Sequence, residues 1–191
     1  MAKFNKRQDV LETAERLFDQ QGYMATGINQ ITREAEVAPM TLYNNFENKD
    51  ALILAVLEAG AEQSLADLRD SIDAAEDAPY KRIFAIFDNF DAWVDEQIEQ
   101  PGGFAGCNFV RAAVEFKDPD HPAHEASAKY KRAMIQMFED DLKEAQRPDF
   151  KQCALDLHLL LEGAMVQAQV LAIPGAVGRA KSIAISMLQA K

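Results

Sequence analysis

The decapeptide VAPMTLYNNF, residues 37–46, places short hydrogen-bonding side chains at Thr41, Asn44 and Asn45 around the phenol of Tyr43, and it carries no charge. Hydroxyls and amides of that size on one side of a helix match the donors and acceptors on base-pair edges in a DNA major groove. A generic three-helix packing unit with a polar surface helix has the same composition, and spacing alone leaves both readings open. Cys107 offers a different chemistry. It follows Gly106 and a glycine pair at 102 and 103, near a predicted helix start where amide groups and the helix dipole favour a thiolate. The alternative for this thiol is a small buried hydrophobe. His121 and His124 stand near Asp118, Asp120 and Glu125, but Pro122 breaks the stretch, and a solvated helix start explains it better than a fixed tetrahedral metal site. No compact acid–base pair, nucleophile with an identifiable base, or phosphate-cradling loop accompanies these groups. The sequence therefore reads as non-enzymatic, with no metal and no cofactor.

The elements that position these residues are all helices. Asn5 and Gln8 suggest a cap, after which Val10, Leu11, Ala14, Leu17 and Phe18 recur at three- and four-residue spacing up to Gly22. Thr26 and Gly27 are candidate caps for a second, shorter helix with Ile28, Ile31 and Ala35 inward. Pro39 suits the first turn of a third. Residues four apart share a helix face, so Leu42 and Phe46 turn inward with Val37, leaving Thr41, Asn44 and Asn45 outside. Asn48 caps a fourth helix from Lys49 to about Asp70, buried through Leu52, Ile53, Val56 and Leu57. In this arrangement Thr41 and Asn44 reach base edges, while Tyr43, Lys49 and Thr26 lie where phosphates pass.

Residues 71–79 read as a connection. An aromatic helix follows toward Gln100, broken by Pro101, Gly102 and Gly103; further helices span Phe104–Phe116, His124–Gln146, residues 150–172 and Val177–Gln189. No alternating strand pattern of useful length appears. Leucines at 155, 157, 159, 160 and 161 surround more of their helix than one core-facing stripe requires, and Ile183, Ile185, Met187 and Leu188 close the chain in the same style. Symmetric pairing of two subunits through these last two long helices accounts for that excess; full burial inside one subunit is the alternative.

Charge divides by region. The whole chain of 191 residues has a net charge of -11, but residues 1–50 hold only six Lys or Arg against eight Asp or Glu. Lys3, Lys6 and Arg7 form a modest basic set at the start. No apolar run approaches the roughly 18 residues that span a bilayer, and the first fifteen are too charged for a signal peptide. A cytoplasmic location with no membrane partner is expected. Two cysteines, Cys107 and Cys153, are too few for a disulfide framework.

From Val10 to Leu54 the sequence resembles the TetR family of transcriptional regulators. The ordered residues are Ala14, Leu17 and Phe18; Gly22-Tyr23; Ala25-Thr26; Ile28 and Ile31; Ala35 and Val37; Thr41-Leu42-Tyr43 with Phe46; and Lys49 with Leu52. The resemblance implies an all-α fold of about nine helices, with a three-helix helix-turn-helix head and a helical ligand-binding and dimerisation domain. It implies a DNA-binding domain over residues 1–50 and an effector domain over residues 51–191. It makes residues 39–45 the recognition helix, with Pro39 at its start among the DNA-binding residues, Tyr43 and Lys49 on phosphates, and Met40, Thr41 and Asn44 at the bases. The expected partners are double-stranded operator DNA, a small-molecule effector and a second copy of the chain. Three departures stand out: Glu36 where glycine is common, Ala38 where a capping serine is common, and Asn45 where histidine is frequent. Gly106-Cys107 with Glu115, and Leu160-Leu161-Glu162-Gly163-Ala164, further resemble a subgroup with a Gly-Cys motif that includes sensors of electrophiles.

Candidate effector contacts follow from that implied domain. Phe84, Phe87, Trp93 and Phe109 supply aromatic surface, as do Phe90 and Phe104, while Met134, Phe138 and Met165 extend it. These residues can line a cavity or fill a core. Cys107, His158 and Glu162 add polar chemistry; a carboxylate on an apolar helix requires a partner. The function read from the sequence is a sequence-specific regulator, a repressor released from a palindromic operator by a small-molecule or thiol-reactive effector. The alternative is a helical ligand-binding or protein-interaction module that has lost specific DNA binding.

Overall fold

The computed structural model describes residues 6–75, 78–100 and 102–189, and every regular element within them is an α-helix. Lys3, the candidate cap Asn5 and the breaker Pro101 lie outside the described residues. The chain divides into two compact units, Met1–Glu62 with Cys107–Lys129, and Gln63–Gly106 with Tyr130–Lys191.

In the first unit, α1 (Lys6–Gln21) buries Val10, Leu11, Ala14, Leu17 and Phe18, the stripe its sequence spacing dictates. It stops at Gly22, whose φ of 88° is left-handed and whose amide donates to Phe18 O at 2.9 Å. Next, α2 (Ile28–Glu34) follows Gly27 without a side-chain cap. Then α3 (Pro39–Tyr43) starts on Pro39 after an equally uncapped Ala38. Leu42 and Phe46 are buried as their four-residue spacing requires. Val37, expected inward, is only half-buried, because it lies in the short connection and not on a helix face. A fourth helix, α4 (Lys49–Asp73), is capped by Asn48, whose Oδ1 accepts the Ala51 amide at 2.8 Å. It continues past Asp70 because nothing in Ser71-Ile72-Asp73 breaks a helix. The short α6 (Asn108–Glu115) and the start of α7 (Pro122–Glu144) complete the unit.

The second unit holds α5 (Pro79–Glu99), α8 (Phe150–Leu171), α9 (Ala176–Gln189) and the rest of α4 and α7. Phe87 and Phe138 meet in its core with ring centroids 6.0 Å apart, and Arg82 Nε donates to the buried Asp141 at 2.6 Å. The helix expected to begin at Phe104 begins instead at Asn108. Gly106 has φ of 92°, and a Cβ there would overlap the Gln169 side chain. Phe104 packs edge-on against Trp93 at 5.1 Å ahead of the helix. The α7 helix starts at Pro122, not His124, since proline is well placed in a first turn. The leucine run of α8 is split: Leu157 and Leu161 are buried, Leu155 and Leu159 exposed. No helix of the described residues is long and apolar enough to cross a membrane.

Candidate nucleic-acid interface and effector residues

Burial of Leu42 against α1 and α2 turns the opposite side of α3 to solvent. Met40 is 69% exposed and Tyr43 50%, Pro39 and Asn44 are also exposed, and Thr41 is half-buried. Asn45 donates its amide to Thr41 O at 2.7 Å, closing the helix end from outside. Glu36 adopts φ of 53°, so the position where glycine is common does require left-handed backbone, and a glutamate occupies it under strain. Lys49 reaches back to Met24 O at 3.3 Å, and partial burial lowers its ammonium pKa from the ordinary lysine value. Arg7 lies over the Phe46 ring at 5.2 Å. Arg16 pairs with Glu34 at 2.7 Å, tying α1 to α2.

Thr26 differs from its expected place on phosphate. It is fully buried, and its hydroxyl donates to Gly22 O at 2.7 Å, with Leu17 O also near at 3.3 Å. The side chain fixes the turn between α1 and α2.

That turn is also held from α6 by residues the sequence did not single out for this role. Arg111 Nη1 donates to Phe18 O at 2.9 Å and to Asp19 O, carbonyls left open at the end of α1. One helical turn on, Glu115 accepts the amides of Tyr23 at 3.1 Å and Met24 at 2.6 Å. The Tyr23 hydroxyl donates to Asn108 O at 3.2 Å, and its buried ring contacts Phe18 and Phe116. Burial pushes the Tyr23 phenol pKa above the usual tyrosine range. Gly22 is required here twice over: its φ is positive, and a Cβ would lie 2.7 Å from Glu115 Oε1.

The two histidines beside Pro122 serve α7 itself. His121 Nδ1 accepts the Ala123 amide at 3.2 Å while its ring stacks on Phe116 at 4.3 Å, and His124 Nδ1 sits 2.9 Å from Phe116 O. No three metal-ligating side chains cluster among the described residues.

The ten expected effector contacts do not fall in one unit. Cys107 and Phe109 belong to the first, Phe84, Phe87, Trp93, Met134, Phe138, His158, Glu162 and Met165 to the second. Cys107 is half-buried and immediately precedes α6, and neither it nor the buried Cys153 is in a disulfide. Within the second unit Phe87, Met134, Phe138 and Met165 are buried, whereas Trp93 is partly exposed. Glu162 accepts from Lys131 at 2.6 Å and lies 3.6 Å from His158 Nε2, a buried nitrogen with no hydrogen-bond partner. Burial, with Lys131 adding to it, lowers the His158 pKa below the ordinary histidine value, and Glu162 opposes this. An open depression of about 390 Å³ lined by Ile72, Asp73, Ala75 and Arg82 contains none of the ten.

A short exposed helix presented by a three-helix head, joined to a larger helical unit, defines the class of helix-turn-helix DNA-binding regulators. A family profile described as bacterial regulatory proteins, tetR family, matches residues 10–56, and one described as a tetracyclin repressor-like C-terminal domain matches residues 79–184. The chain belongs to the TetR family, whose members are DNA-binding regulators and not enzymes. The crystal structure of SCO4454, a TetR-family transcriptional regulator from Streptomyces coelicolor, is 30% identical with a TM-score of 0.84, covering 96% of this chain and 93% of that one. The transcriptional repressor NemR of Escherichia coli is 27% identical over 174 residues, 86% of this chain and 84% of that protein. YxaF, an HTH-type regulator of Bacillus subtilis, is 34% identical over 96 residues, which span 46% of this chain and 50% of that protein.

Proposed function

We propose that this protein is a cytoplasmic repressor that binds a palindromic operator as a homodimer and is released by a small-molecule or thiol-reactive effector. The observation that carries the reading is the uncharged, exposed face of α3 on a head whose α1–α2 turn is fixed by Arg111 and Glu115. Residues 1–50 act as the DNA-binding domain and residues 51–191 as the effector and dimer domain. Met40, Thr41 and Asn44 read bases, Pro39 sets the start of α3 against the groove, and Tyr43 and Lys49 hold phosphates. Exposed Leu155, Leu159, Val166 and Val170 form one stripe along α8, which supports pairing of two subunits through α8 and α9. The resemblance to the repressor NemR supports repression, while a thiol-reactive effector acting at Cys107 and a place in the Gly-Cys subgroup rest on the Gly106-Cys107 motif and on the half-buried thiol ahead of α6. The eight residues of the expected set in the second unit supply effector contacts.

Selection from a randomised duplex library at about 0.15 M salt tests the reading, since competition at that salt suppresses purely electrostatic binding. The expected result is an enriched palindrome whose binding falls about tenfold or more on Thr41→Ala or Tyr43→Ala, and which thiol modifiers or ligands release. Undiminished selectivity in both variants would remove α3 as the reading element. A folded dimer without sequence preference would favour a module that has lost specific DNA binding, the reading to which strained, acidic Glu36 lends weight.

A further inference from the structure

Resting on the operator-binding reading above, we propose that α3 reads A·T base pairs, with Asn44 paired to adenine and Met40 packed on a thymine methyl. The argument starts from what α3 lacks. Guanine offers two acceptors, N7 and O6, to the major groove, and the side chains that commonly read them are the cations Arg and Lys, whereas a carboxamide, with a donor and an acceptor side by side, pairs with adenine. From Ala35 to Asn48 the sequence contains no Arg, Lys or His, and the two charged residues in that span, Glu36 and Glu47, only accept. The flanking cations stand off the base edges, Lys49 being placed on a phosphate by the reading above. Lys49 donates to Met24 O, and Arg33 lies on α2, the helix that crosses the phosphate backbone in this motif.

What α3 does present matches adenine and thymine. Adenine shows an acceptor at N7 and a donor at N6, the complement of a carboxamide. Of the two exposed amides, Asn45 commits one N–H to Thr41 O at 2.7 Å, which ties its carboxamide back against the helix end. Asn44, also exposed, has no side-chain hydrogen bond among the described residues and keeps both donor and acceptor for a base. Met40, 69% exposed at the start of the helix, is a flexible apolar side chain left in water by the free protein. The C5 methyl of thymine is the apolar group on the major-groove edge that covers it.

Base analogues test this without altering the protein. In the enriched half-site, each thymine is replaced in turn by deoxyuridine, which lacks the methyl, and each adenine by 7-deazaadenine, which lacks the N7 acceptor. One deoxyuridine is expected to weaken wild-type binding several-fold and to leave Met40→Ala unaffected. One 7-deazaadenine is expected to cost about tenfold in wild type and nothing in Asn44→Ala, the size of one bidentate contact. An enriched palindrome with G·C pairs opposite α3, or one indifferent to both analogues, overturns the A·T assignment while leaving operator binding standing. Failure to enrich any palindrome overturns operator binding itself.

Discussion

Glu36 holds a left-handed φ of 53° with a charged, β-carbon-bearing side chain. Such backbone costs an L-residue roughly 1–2 kcal/mol, which glycine avoids, while glycine returns about 0.4–1 kcal/mol of that through a freer unfolded chain. Glu36→Gly is therefore expected to stabilise the protein by up to about 1 kcal/mol. It also removes a negative charge beside α3, so DNA binding should tighten most at low salt. Urea unfolding and binding titrations at two salt concentrations check both parts, and an unchanged unfolding midpoint would mean the strain is not there. His158 supports a second prediction at this scale. Its pKa is lowered in the fold, chiefly by burial, so the unfolded chain takes up the proton first. The stability linked to neutral His158 is complete above the unfolded value, near pH 6.5, and is lost as pH falls through the lower folded value. Wild type should lose more stability than His158→Gln between pH 7.5 and 5.5. Parallel profiles for the two proteins would show that this imidazole is not the group responsible.

Among elements, α6 carries the load at the head. Two charged residues one turn apart close both sides of the α1–α2 junction, Arg111 on its carbonyls and Glu115 on its amides. Glu115→Gln keeps the size but offers only one acceptor atom for two amides. Losing charge-assisted bonds to the junction should cost about 1–3 kcal/mol, and hydrogen exchange at Tyr23 and Met24 should quicken before that of α1. Exchange unchanged at those two amides would mean that Glu115 is not what holds them. The contrast with the helices themselves shows what sequence could convey. The stripe of α1, the proline start of α3, the Asn48 cap and the burial of Leu42 and Phe46 are local patterns, legible because their partners lie within a turn or two. The grip of α6 joins residues 91 to 93 apart, and the groups it binds are backbone amides and carbonyls that carry no sequence signature. Thr26 departs from the phosphate position for the same reason: a threonine at a helix start suits a phosphate or a turn equally, and tertiary burial decides. The glycines at 102 and 103 mark a break, but the later helix start, at Asn108 in place of Phe104, follows from Gly106, whose positive φ and close approach to Gln169 are tertiary features that the sequence does not carry.

For the whole molecule, affinity for DNA is a question of how many heads act together. Residues 1–50 carry two more acidic than basic side chains, so counterion release contributes little and the salt dependence of binding should be shallow. A single five-residue α3 reaches few base edges, each worth about 1–3 kcal/mol. In the proposed dimer the two heads would bind in succession, the second at the effective concentration set by the first, which multiplies affinity without any new contact. The surface proposed to pair the subunits is the α8 stripe, where Leu159 is 71% and Val170 70% exposed. Leu159→Asp tests this step cleanly because the side chain is largely exposed in the single chain. Its folding stability should change by no more than about 0.5 kcal/mol, while a carboxylate buried opposite its own copy in a symmetric interface is strongly unfavourable. Sedimentation should find a monomer with an unchanged helical spectrum, bound to the palindrome no more tightly than to an isolated half-site. A variant that stays dimeric would place the subunit interface away from Leu159, and the exposed stripe would then require a different partner.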